Sequence, residues 1–342
     1  MVQKKPITTF RNKKVLVAGG TGMIGTPLVN MLLEQGAKVR VASLDDPVLA
    51  NPKTEFLQMN MTSTRNCQKA CDGMDYVFNL LGAKASPAMA MAKPYSFMVP
   101  TLRYNIELME AARLANVEGY LFTSSVGVYA PAEVFTEDNV ELPIWKTSPS
   151  SNDWYAGWAK RMSELQGIAW MKEYGFKNFA IVRPANVYGP RDNFHGPNAM
   201  VVPSLIKRAF EASESGQPLT VWGDGTPIRD IIYCDDVAQG ILLAMEHGQG
   251  QAVNLGTGTG CTIKELAETI CKAVDPKLKI QWDKTKPSGD QKRLMDMKKA
   301  KAVLGFTPKI SLKEGISKTI NWYLKNKNDT GKTRYDIFST KG

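Results

Sequence analysis

The segment KKVLVAGGTGMIGTPLVNMLLEQGAKVRVAS, residues 13–43, decides the fold of this 342-residue chain. Its run VLVAG predicts a short buried strand. Its run PLVNMLLEQGA has apolar residues at helical spacing and ends near Gly36, a residue type common at helix C-termini. Gly19, Gly22 and Gly25 lie between the two runs. Because glycines let the backbone approach a pyrophosphate at a helix N-terminus, a strand-glycine-helix order predicts a dinucleotide-binding turn.

Further strand and helix patterns follow this unit. YVFNLLGAKAS and EGYLFTSSVGVYA each predict a strand that runs into a loop, and YNIELMEAARLAN predicts a helix between them. Alternating strands and helices predict an α/β fold with a Rossmann-type doubly wound parallel sheet. Loops at the carboxyl ends of such strands form the ligand crevice, which places four residues beside a cofactor: Gly82, Lys84, Ser124 and Ser125. The two serines fit simple strand termination equally well.

The end of the second strand bears on which nicotinamide cofactor binds. An NAD site usually has an acidic residue there, roughly 20 residues past the glycines. Ser43 stands near that place, with Asp45 and Asp46 just beyond it. A serine tolerates the 2′-phosphate that an aspartate would repel, so the sequence favours NADP(H) over NAD(H). Arg40 is a candidate partner for this phosphate, although an arginine on a strand face is more often simply solvated.

Composition narrows the class of protein. The formal net charge is +10, but the lysines are spread along the chain, so we expect an anionic small ligand and no nucleic acid. No apolar run approaches the roughly 20 residues that span a bilayer, and the basic N-terminus lacks the apolar stretch of a secretory signal. Five scattered cysteines indicate a reducing compartment and predict a cytoplasmic location. Two histidines and no paired cysteine motif predict no metal site.

A resemblance to a known family rests on the motifs GGTGMIG, GAKAS, FTSSVGVY, AKRMSE and VRPANVYGPRDNF. They resemble motifs of the extended short-chain dehydrogenase/reductases, the NAD-dependent epimerase/dehydratase family, which modify nucleotide-activated sugars. From about residue 13 to residue 325 the chain is most similar to the GDP-L-fucose synthases of that family. Those NADPH-dependent enzymes epimerise GDP-4-keto-6-deoxymannose at C3 and C5 and then reduce it at C4.

The resemblance implies a division of the chain into two domains. A dinucleotide-binding Rossmann domain would cover residues 1–185 and receive a returning segment at about 222–248. A smaller α/β nucleotide-sugar-binding domain would cover 186–221 and 249–325, with a tail at 326–342.

Roles for individual residues are also implied by the resemblance. Ser125 would hydrogen-bond the C4 oxygen of the sugar, and Lys160 would hold the nicotinamide ribose and lower the pKa of a tyrosine. Arg229 would clamp the diphosphate, which suits a planar guanidinium. The other implied contacts to the nucleotide-sugar are Asn186, Arg208, Trp222 and Arg293. The complete predicted cofactor site is Gly19, Gly22, Met23, Ile24, Gly25, Ser43, Leu81, Gly82, Lys84, Lys160 and Pro184.

Two positions depart from the fucose synthase pattern. Those enzymes epimerise with a cysteine two residues after the serine and a histidine just before a V-x-P segment. Gly127 and Met200 stand at these places, and neither side chain transfers a proton. Loss of both predicts hydride chemistry at C4 without 3,5-epimerisation, as a 4-keto reductase or a 4-epimerase. His195 is a nearby candidate to replace the histidine, although a loop histidine is more often solvated or structural.

The segment WYAGWAK, residues 154–160, is a third departure. Many nicotinamide enzymes have Tyr-x-x-x-Lys, but here Ala156 stands four residues before Lys160, and Tyr155 is one place too early. Consecutive helical residues differ by about 100°, so residues five apart diverge by about 140° on a regular α-helix. Three accounts remain open: a π-bulge that restores the shared face, a true loss of the acid, or its replacement by Ser125, a water, Tyr129 or Tyr188.

The leading prediction is an NAD(P)-dependent nucleotide-sugar reductase or epimerase, GDP-linked by resemblance, with Ser125, Tyr155 and Lys160 as catalytic residues. The alternative is a catalytically silent protein of the same fold that binds the nucleotide-sugar. A 4,6-dehydratase is disfavoured, because those enzymes usually carry an acidic residue where Val126 follows the serine. The resemblance also implies a homodimer, formed through the helices that contain IELMEAARLA and WAKRMSELQGIAWM.

Overall fold

A computed structural model describes residues 10–82, 87–138, 143–194, 199–248, 250–286 and 289–327. Its central feature is a seven-stranded parallel sheet. In spatial order the strands are β12 (Ala252–Leu255), β7 (Phe179–Pro184), β5 (Gly119–Thr123), β4 (Tyr76–Asn79), β1 (Lys14–Ala18), β2 (Lys38–Ser43) and β3 (Glu55–Gln58). The α-helices are α1 (Gly25–Glu34), α2 (Thr64–Cys71), α3 (Pro87–Ala92), α4 (Pro94–Leu114), α5 (Trp154–Tyr174), α6 (Val201–Ser215), α7 (Cys234–His247), α8 (Ile263–Val274) and α9 (Leu312–Asn326).

Both faces of the central sheet are covered by helices. Apolar residues of α1 and α7 pack on one face, among them Leu28 and Ile241. Helices α2, α4 and α5 cover the other face, with Ala70, Leu108 and Trp170 buried there. Because both sides of each inner strand meet apolar side chains, β4, β5 and β7 are buried along their whole length. The Rossmann-type parallel sheet predicted from the sequence is therefore confirmed.

Smaller sheets lie outside the central one. Strand β8 (Asn186–Tyr188) pairs with β11 (Ile231–Tyr233), and β9 (Leu219–Trp222) pairs with β14 (Ile280–Asp283). A four-stranded sheet has the order β13 (Cys261–Thr262), β10 (Ile228–Arg229), β15 (Lys292–Met295) and β6 (Val134–Phe135). A separate apolar cluster joins α6, α8 and α9 through residues that include Ile206, Ile270 and Ile316.

The chain returns to the central sheet after its excursion into the smaller sheets. Helix α7 packs against α1, and β12 pairs with β7 at the edge of the seven-stranded sheet. This strand lies beyond the predicted returning segment of about 222–248, and the division into two domains stays a prediction. Within the described ranges, no helix combines the length and apolarity that crossing a membrane requires.

Candidate active site

The glycine turn between β1 and α1 has the tight geometry that its sequence predicts. Gly19 has a φ of +85°, a value that favours glycine. A Cβ on Gly25 would lie 2.2 Å from the Gly19 carbonyl oxygen, so no larger residue fits at the start of α1. The side chains of Met23 and Ile24 pack into apolar clusters, and the turn therefore presents mainly backbone to a ligand.

The carboxyl ends of β4 and β5 lie beside this turn. A Cβ on Gly19 would lie 3.1 Å from the Leu80 carbonyl oxygen, and no described atom lies within 4 Å of the Cβ position of Gly82. Lys160 of α5 reaches the same edge, where its Nζ donates to the Thr123 carbonyl oxygen at 2.7 Å and lies 3.4 Å from the Leu81 carbonyl oxygen. The lysine predicted to hold the nicotinamide ribose thus lies where two strands of the crevice end.

The ammonium group of Lys160 is partly buried and faces an aromatic ring. Its Nζ lies 4.9 Å from the centroid of the Phe122 ring. Burial lowers the pKa of Lys160 to about 8, against an opposing effect of the Glu164 charge one helical turn away. Two carbonyl oxygens and the Phe122 ring hold the ammonium group at this edge of the sheet, a position that suits a hydrogen bond to a ribose hydroxyl.

The end of β2 holds a carboxylate close to the glycine turn. The Thr21 hydroxyl donates to Asp45 Oδ2 at 2.7 Å and lies 2.8 Å from the buried Ser43 Oγ, which also accepts from the Asp45 backbone N–H. Arg40 binds elsewhere: its Nε donates to Glu55 at 2.8 Å and its Nη1 to the carbonyl groups of Ala70 and Asp72. Arg40 is therefore occupied and is not the free phosphate partner that the sequence suggested.

Ser125 follows β5 and begins a short 3₁₀ turn, Val126–Val128. Its Oγ accepts from the Gly127 N–H at 3.1 Å. A Cβ on Gly127 would lie 3.3 Å from Asp153 Oδ1, so a carboxylate fills the space next to the position where fucose synthases have cysteine. Asp153, which the sequence analysis did not single out, thus lies in the neighbourhood of the predicted catalytic serine.

Helix α5 is α-helical from Trp154 to Tyr174, with no π-helical turn. The proposed bulge that would bring Tyr155 onto the face of Lys160 is therefore absent. Tyr155 is partly buried, and on this regular helix its direction diverges by about 140° from that of Lys160. The residue on the lysine's face one turn earlier is Ala156, which has no proton to give.

Neither of the other candidate tyrosines is available as an acid. The buried Tyr129 hydroxyl donates to Asn254 Oδ1 at 2.7 Å and accepts from Arg183 at 3.0 Å, and burial raises its pKa well above the usual value. The Tyr188 hydroxyl is 3.4 Å from the Leu312 carbonyl oxygen, and burial raises its pKa also. Both phenols serve the packing of the protein.

Arg229 and Arg293 form a cationic pair in the four-stranded sheet. They are register partners on the parallel strands β10 and β15. Burial lowers the pKa of Arg229, and the nearby charge of Arg293 lowers it further, which indicates that the two guanidinium groups lie close to each other. Arg293 Nη2 donates to Asp153 Oδ2 at 2.8 Å, and its Nη1 lies 3.6 Å from Asp290. A planar pair of this kind suits the oxygens of a diphosphate.

Asp230 is a buried organiser of this region that the sequence analysis missed. Its carboxylate accepts from the backbone N–H groups of Thr257, Gly258 and Met295 at 2.7, 2.9 and 3.2 Å, and from the Thr257 hydroxyl. Its backbone oxygen accepts from the Asn186 side chain at 3.1 Å. These bonds join β8, β10 and β15, and hold Asn186 close to the strand of Arg229. In the sequence, the one indication of Asp230 is that it directly follows Arg229, which the resemblance had already singled out.

Arg208 and Trp222 form a second group, on α6 and β9. The Arg208 guanidinium donates to the Thr220 carbonyl oxygen, and the Trp222 side chain at the end of β9 is exposed. A cavity of about 350 Å³ is lined by Tyr129, Phe135, Ser150 and Arg293 among others. Arg229 and Arg293 are brought together as register partners, and Arg293 reaches the turn of Ser125 through Asp153.

A buried polar network joins β7, α5 and the residue after β5 next to the candidate site. Arg183 on β7 makes a bidentate ion pair with Glu164 on α5, through bonds of 3.0 and 2.6 Å. The Ser124 hydroxyl donates to the same carboxylate. Ser124 is thus a structural anchor between β5 and α5, while a place beside the cofactor stays a prediction for both serines. Pro184, also predicted to contact the cofactor, ends β7 next to the buried Arg183.

The donor set suits a nicotinamide dinucleotide. The glycine turn, the N-terminus of α1, the open side of Gly82 and the ammonium of Lys160 lie along one edge of the sheet. Among the residues that the structure describes, no group of three or more His, Cys, Asp or Glu side chains is arranged to hold a metal ion. Two predicted residues, Lys84 of the cofactor site and His195, lie outside the described ranges.

Comparison with known proteins identifies the relatives of this chain. Residues 15–256 match the NAD dependent epimerase/dehydratase family. The chain is 33% identical over 327 residues to GDP-L-fucose synthase 1 of Arabidopsis thaliana, covering 92% of this chain and 94% of that protein. It is 30% identical to GDP-L-fucose synthase of Escherichia coli, covering 92% and 97%. The crystal structure of Thermotoga maritima UDP-glucose 4-epimerase with UDP-glucose superposes with a TM-score of 0.79 at 29% identity, covering 92% of this chain and all of that chain.

Proposed function

The chain belongs to the NAD dependent epimerase/dehydratase family, and we propose that it is an NAD(P)-dependent 4-keto reductase or 4-epimerase of a nucleotide-hexose. One series of contacts carries this proposal. Ser125 accepts from Gly127, Gly127 packs against Asp153, and Asp153 pairs with Arg293, the neighbour of Arg229. The turn of Ser125 is thus joined through Asp153 to a cationic pair that suits a diphosphate.

The identity of the nucleotide is proposed from the relatives. Curated proteins from Arabidopsis thaliana and Escherichia coli that share 33% and 30% of their residues with the chain are named GDP-L-fucose synthase. A GDP-hexose is therefore the first substrate to test. The structural relative with UDP-glucose makes a UDP-sugar the natural comparison.

The proposed chemistry assigns a separate task to each residue near the crevice. A bound nicotinamide would supply or accept the hydride at C4 of the sugar. Ser125 would hydrogen-bond the C4 oxygen, and Lys160 would donate to the ribose hydroxyls and bring positive charge to the same place. Arg229 and Arg293 would hold the diphosphate, with Asn186, Arg208 and Trp222 as further contacts to the nucleotide-sugar. Tyr155 remains the nearest phenol in sequence, although the regular helix opposes its direct action.

We further propose that 3,5-epimerisation by the cysteine and histidine of the fucose synthases is absent. Gly127 has no side chain, and Met200 at the start of α6 carries no exchangeable proton. The product of reduction would then keep the configuration of its substrate at C3 and C5, unless another residue of this chain moves those protons.

The cofactor preference for NADP(H), expected from Ser43, is weakened by two contacts. Asp45 places its carboxylate 2.7 Å from the Thr21 hydroxyl in the glycine turn, where it would repel a 2′-phosphate. Arg40 is bound to Glu55 and to backbone carbonyl groups. We therefore propose that NAD(H) binds at least as well as NADP(H).

A homodimer in the cytoplasm completes the proposal. Helices α4 and α5 pack together and present Ile106, Met162 and Leu165 on an exposed face, where a second copy would bury them. The five cysteines are free thiols, which agrees with a reducing compartment. We also retain the two-domain division, with β12 added to the part that returns to the Rossmann domain.

A silent nucleotide-sugar-binding protein is the second candidate, favoured by Ala156 on a regular α-helix. The deciding experiment follows nicotinamide absorbance during incubation of the chain with NADH or NADPH and GDP-4-keto-6-deoxymannose. Oxidation of the nicotinamide supports the reductase, and NMR of the product reports its stereochemistry. Tight binding of cofactor and sugar nucleotide without oxidation leaves the 4-epimerase and the silent protein, and conversion of a GDP-hexose to its C4 epimer, followed by NMR, distinguishes them. Tyr155→Phe and Ser125→Ala test the catalytic assignment, which fails if both variants turn over at the wild-type rate.

A further inference from the structure

Asp153 holds a carboxylate at the junction of the serine turn and the arginine pair. Its Oδ2 accepts from Arg293 Nη2 at 2.8 Å and from the Ser150 hydroxyl at 3.1 Å. Its Oδ1 lies 3.3 Å from the Cβ position of Gly127 and accepts no hydrogen bond from any residue in the described ranges. One oxygen is thus fixed in place, while the other faces the glycine that follows Ser125 by two residues.

Asp153 stands immediately before α5, in a short 3₁₀ turn, Ser151–Asp153. Its φ of −113° and ψ of 10° are not α-helical, so the direction of its side chain is set by its own contacts and not by the spacing to Lys160. Tyr155 lies on the regular helix and diverges by about 140° from Lys160. Asp153 is the carboxylate whose contacts reach both the serine turn and the arginine pair.

Gly127 is what makes room for this carboxylate. Contacts of 3.3 Å from its Cβ position to the Cβ, Cγ and Oδ1 atoms of Asp153 are tighter than ordinary side-chain packing allows. A second close approach, 2.3 Å between the Cβ position of Gly157 and the Gly127 carbonyl oxygen, fixes the start of α5 against the serine turn. Any side chain at residue 127 would displace Asp153, so the glycine and the carboxylate act as a pair.

The two oxygens of Asp153 have different contacts. Oδ2 accepts from Arg293 and from Ser150, which fixes the position of the carboxylate. Oδ1 remains as an acceptor beside the serine turn, and a general base requires an acceptor oxygen that is held in place. The charged group paired with Asp153 is Arg293 of β15, which also lies 3.6 Å from Asp290.

We propose that Asp153 is a general base that removes a proton from the carbon next to the keto group of a 4-keto nucleotide-hexose. This step rests on the substrate class proposed above, and uses neither Gly127 nor Met200 as an acid or base. The C–H bond breaks, its electron pair forms the enolate, and the negative oxygen is hydrogen-bonded by Ser125. The proton passes to Asp153 Oδ1, exchanges with solvent and returns to carbon. No electrons enter or leave. Inversion would need a proton donor on the opposite face, so the proposal covers abstraction and exchange.

The test measures solvent exchange in the absence of hydride transfer. The chain is incubated in D₂O with GDP-4-keto-6-deoxymannose and no reduced nicotinamide, and deuterium at C3 and C5 is followed by NMR and mass spectrometry. The wild type is expected to incorporate deuterium. Asp153→Asn keeps the shape and the partners of the side chain, and is expected to slow exchange at least about 100-fold, as loss of a general base does.

Asp275→Asn is the matched control, because it makes the same exchange at the end of α8, where the carboxylate accepts from the Ser213 hydroxyl and the Lys277 N–H and has no contact with the serine turn or the arginine pair. It is expected to exchange at nearly the wild-type rate. Gly127→Ala provides an independent variant that displaces Asp153 without changing any charge, and is expected to slow exchange severalfold while the chain still binds GDP.

Three results would overturn the assignment. They are an Asp153→Asn rate equal to that of the wild type, an Asp275→Asn loss as large as that of Asp153→Asn, or no exchange by a wild type that binds the sugar nucleotide. Oxidation of NADH or NADPH by the wild type without exchange would reject the base and leave the proposed reductase standing. Exchange without oxidation would support the base and reject the reductase, so the two proposals fail separately.

Discussion

Arg229 and Arg293 are register partners on the parallel strands β10 and β15, so two guanidinium groups emerge side by side from neighbouring strands. Like charges this close are unfavourable unless an anion accompanies them. Asp153 and Asp290 supply carboxylates to Arg293. The arrangement explains how Asp153, Arg229 and Arg293, which are distant in sequence, come together next to the turn of Ser125.

We expect Arg229→Met to weaken the binding of GDP about 10- to 100-fold, because charge-assisted hydrogen bonds contribute roughly 1.5–3 kcal/mol. Isothermal titration calorimetry at two salt concentrations measures the loss. Lys292→Met is the control, since Lys292 precedes Arg293 on β15, points to the other side of the strand and pairs with Glu133. Equal losses in the two variants would show a general effect of positive charge and reject a diphosphate clamp.

Asp45 should decide the cofactor preference. We expect the wild type to bind NADH at least as tightly as NADPH, and Asp45→Ser to shift the ratio toward NADPH about tenfold, equivalent to about 1.4 kcal/mol. Fluorescence titration gives both dissociation constants. Asp46→Ser is the matched control, because the Asp46 side chain accepts from the Val48 N–H and has no bond to the glycine turn. A wild type that prefers NADPH strongly would contradict the expectation.

Lys160 should reduce stability at neutral pH, because its folded-state pKa of about 8 lies below its ordinary value of 10.5. At pH 7 the lysine is charged in both states, and the folded state bears the full cost of burying that charge. Between pH 8 and 10.5 the folded state releases its proton first, so this cost disappears as pH rises. Lys160→Met should therefore raise the melting temperature at pH 7 and raise it less at pH 10. A gain that is equal at both pH values would contradict the lowered pKa.

The Glu164–Arg183 pair should be important for stability. Glu164→Gln leaves a buried guanidinium without its charge partner, and we expect the free energy of unfolding to fall by about 3–5 kcal/mol. Urea denaturation measures the change. Glu110→Gln breaks an exposed pair with Arg113 at the same bond length of 2.6 Å and should cost about 1 kcal/mol or less. Similar losses for the two variants would show that burial does not control the energy of the pair.

Ala156→Tyr should restore a phenol to the face of Lys160. If the chain reduces a 4-keto sugar, a correctly placed general acid should raise kcat about 100-fold or more. Stopped-flow measurement of nicotinamide oxidation reports the rate of the hydride step. Tyr155→Phe in the same assay should have a much smaller effect than the gain at residue 156. An inactive Ala156→Tyr variant that still binds cofactor would favour the silent binding protein.

The core of the fold was predictable because its signals are local. The glycine turn, the apolar runs of β1, β4 and β5, and the helical periodicity of α1 each concern a few consecutive residues. Sterics alone require glycine at residues 19 and 25, since the first has a φ of +85° and the second has no room for a Cβ. The predicted end of α1 near Gly36 is also confirmed. The helix ends at Glu34, and Gly36 has a left-handed backbone conformation that glycine adopts without strain.

The contents of the site were less predictable, because they depend on contacts between distant segments. Sequence spacing correctly indicated that Tyr155 and Lys160 diverge, since helical geometry is local. It could not show that Tyr129 is bound to Asn254 and Arg183, or that Arg40 is held by Glu55. Those hydrogen bonds join elements that pack together only in the folded chain.

The sequence by itself determined the succession of strand, glycine turn, helix and strand in the first dinucleotide-binding unit, the place of its glycines and the absence of a tyrosine at residue 156. Only the tertiary structure decided that Asp153 fills the space beside Gly127 and that Arg293 is its partner. The physical reason is that backbone sterics and periodicity act between near neighbours in the chain. The neighbours of a carboxylate, in contrast, are set by how α5, β15 and the serine turn pack against one another.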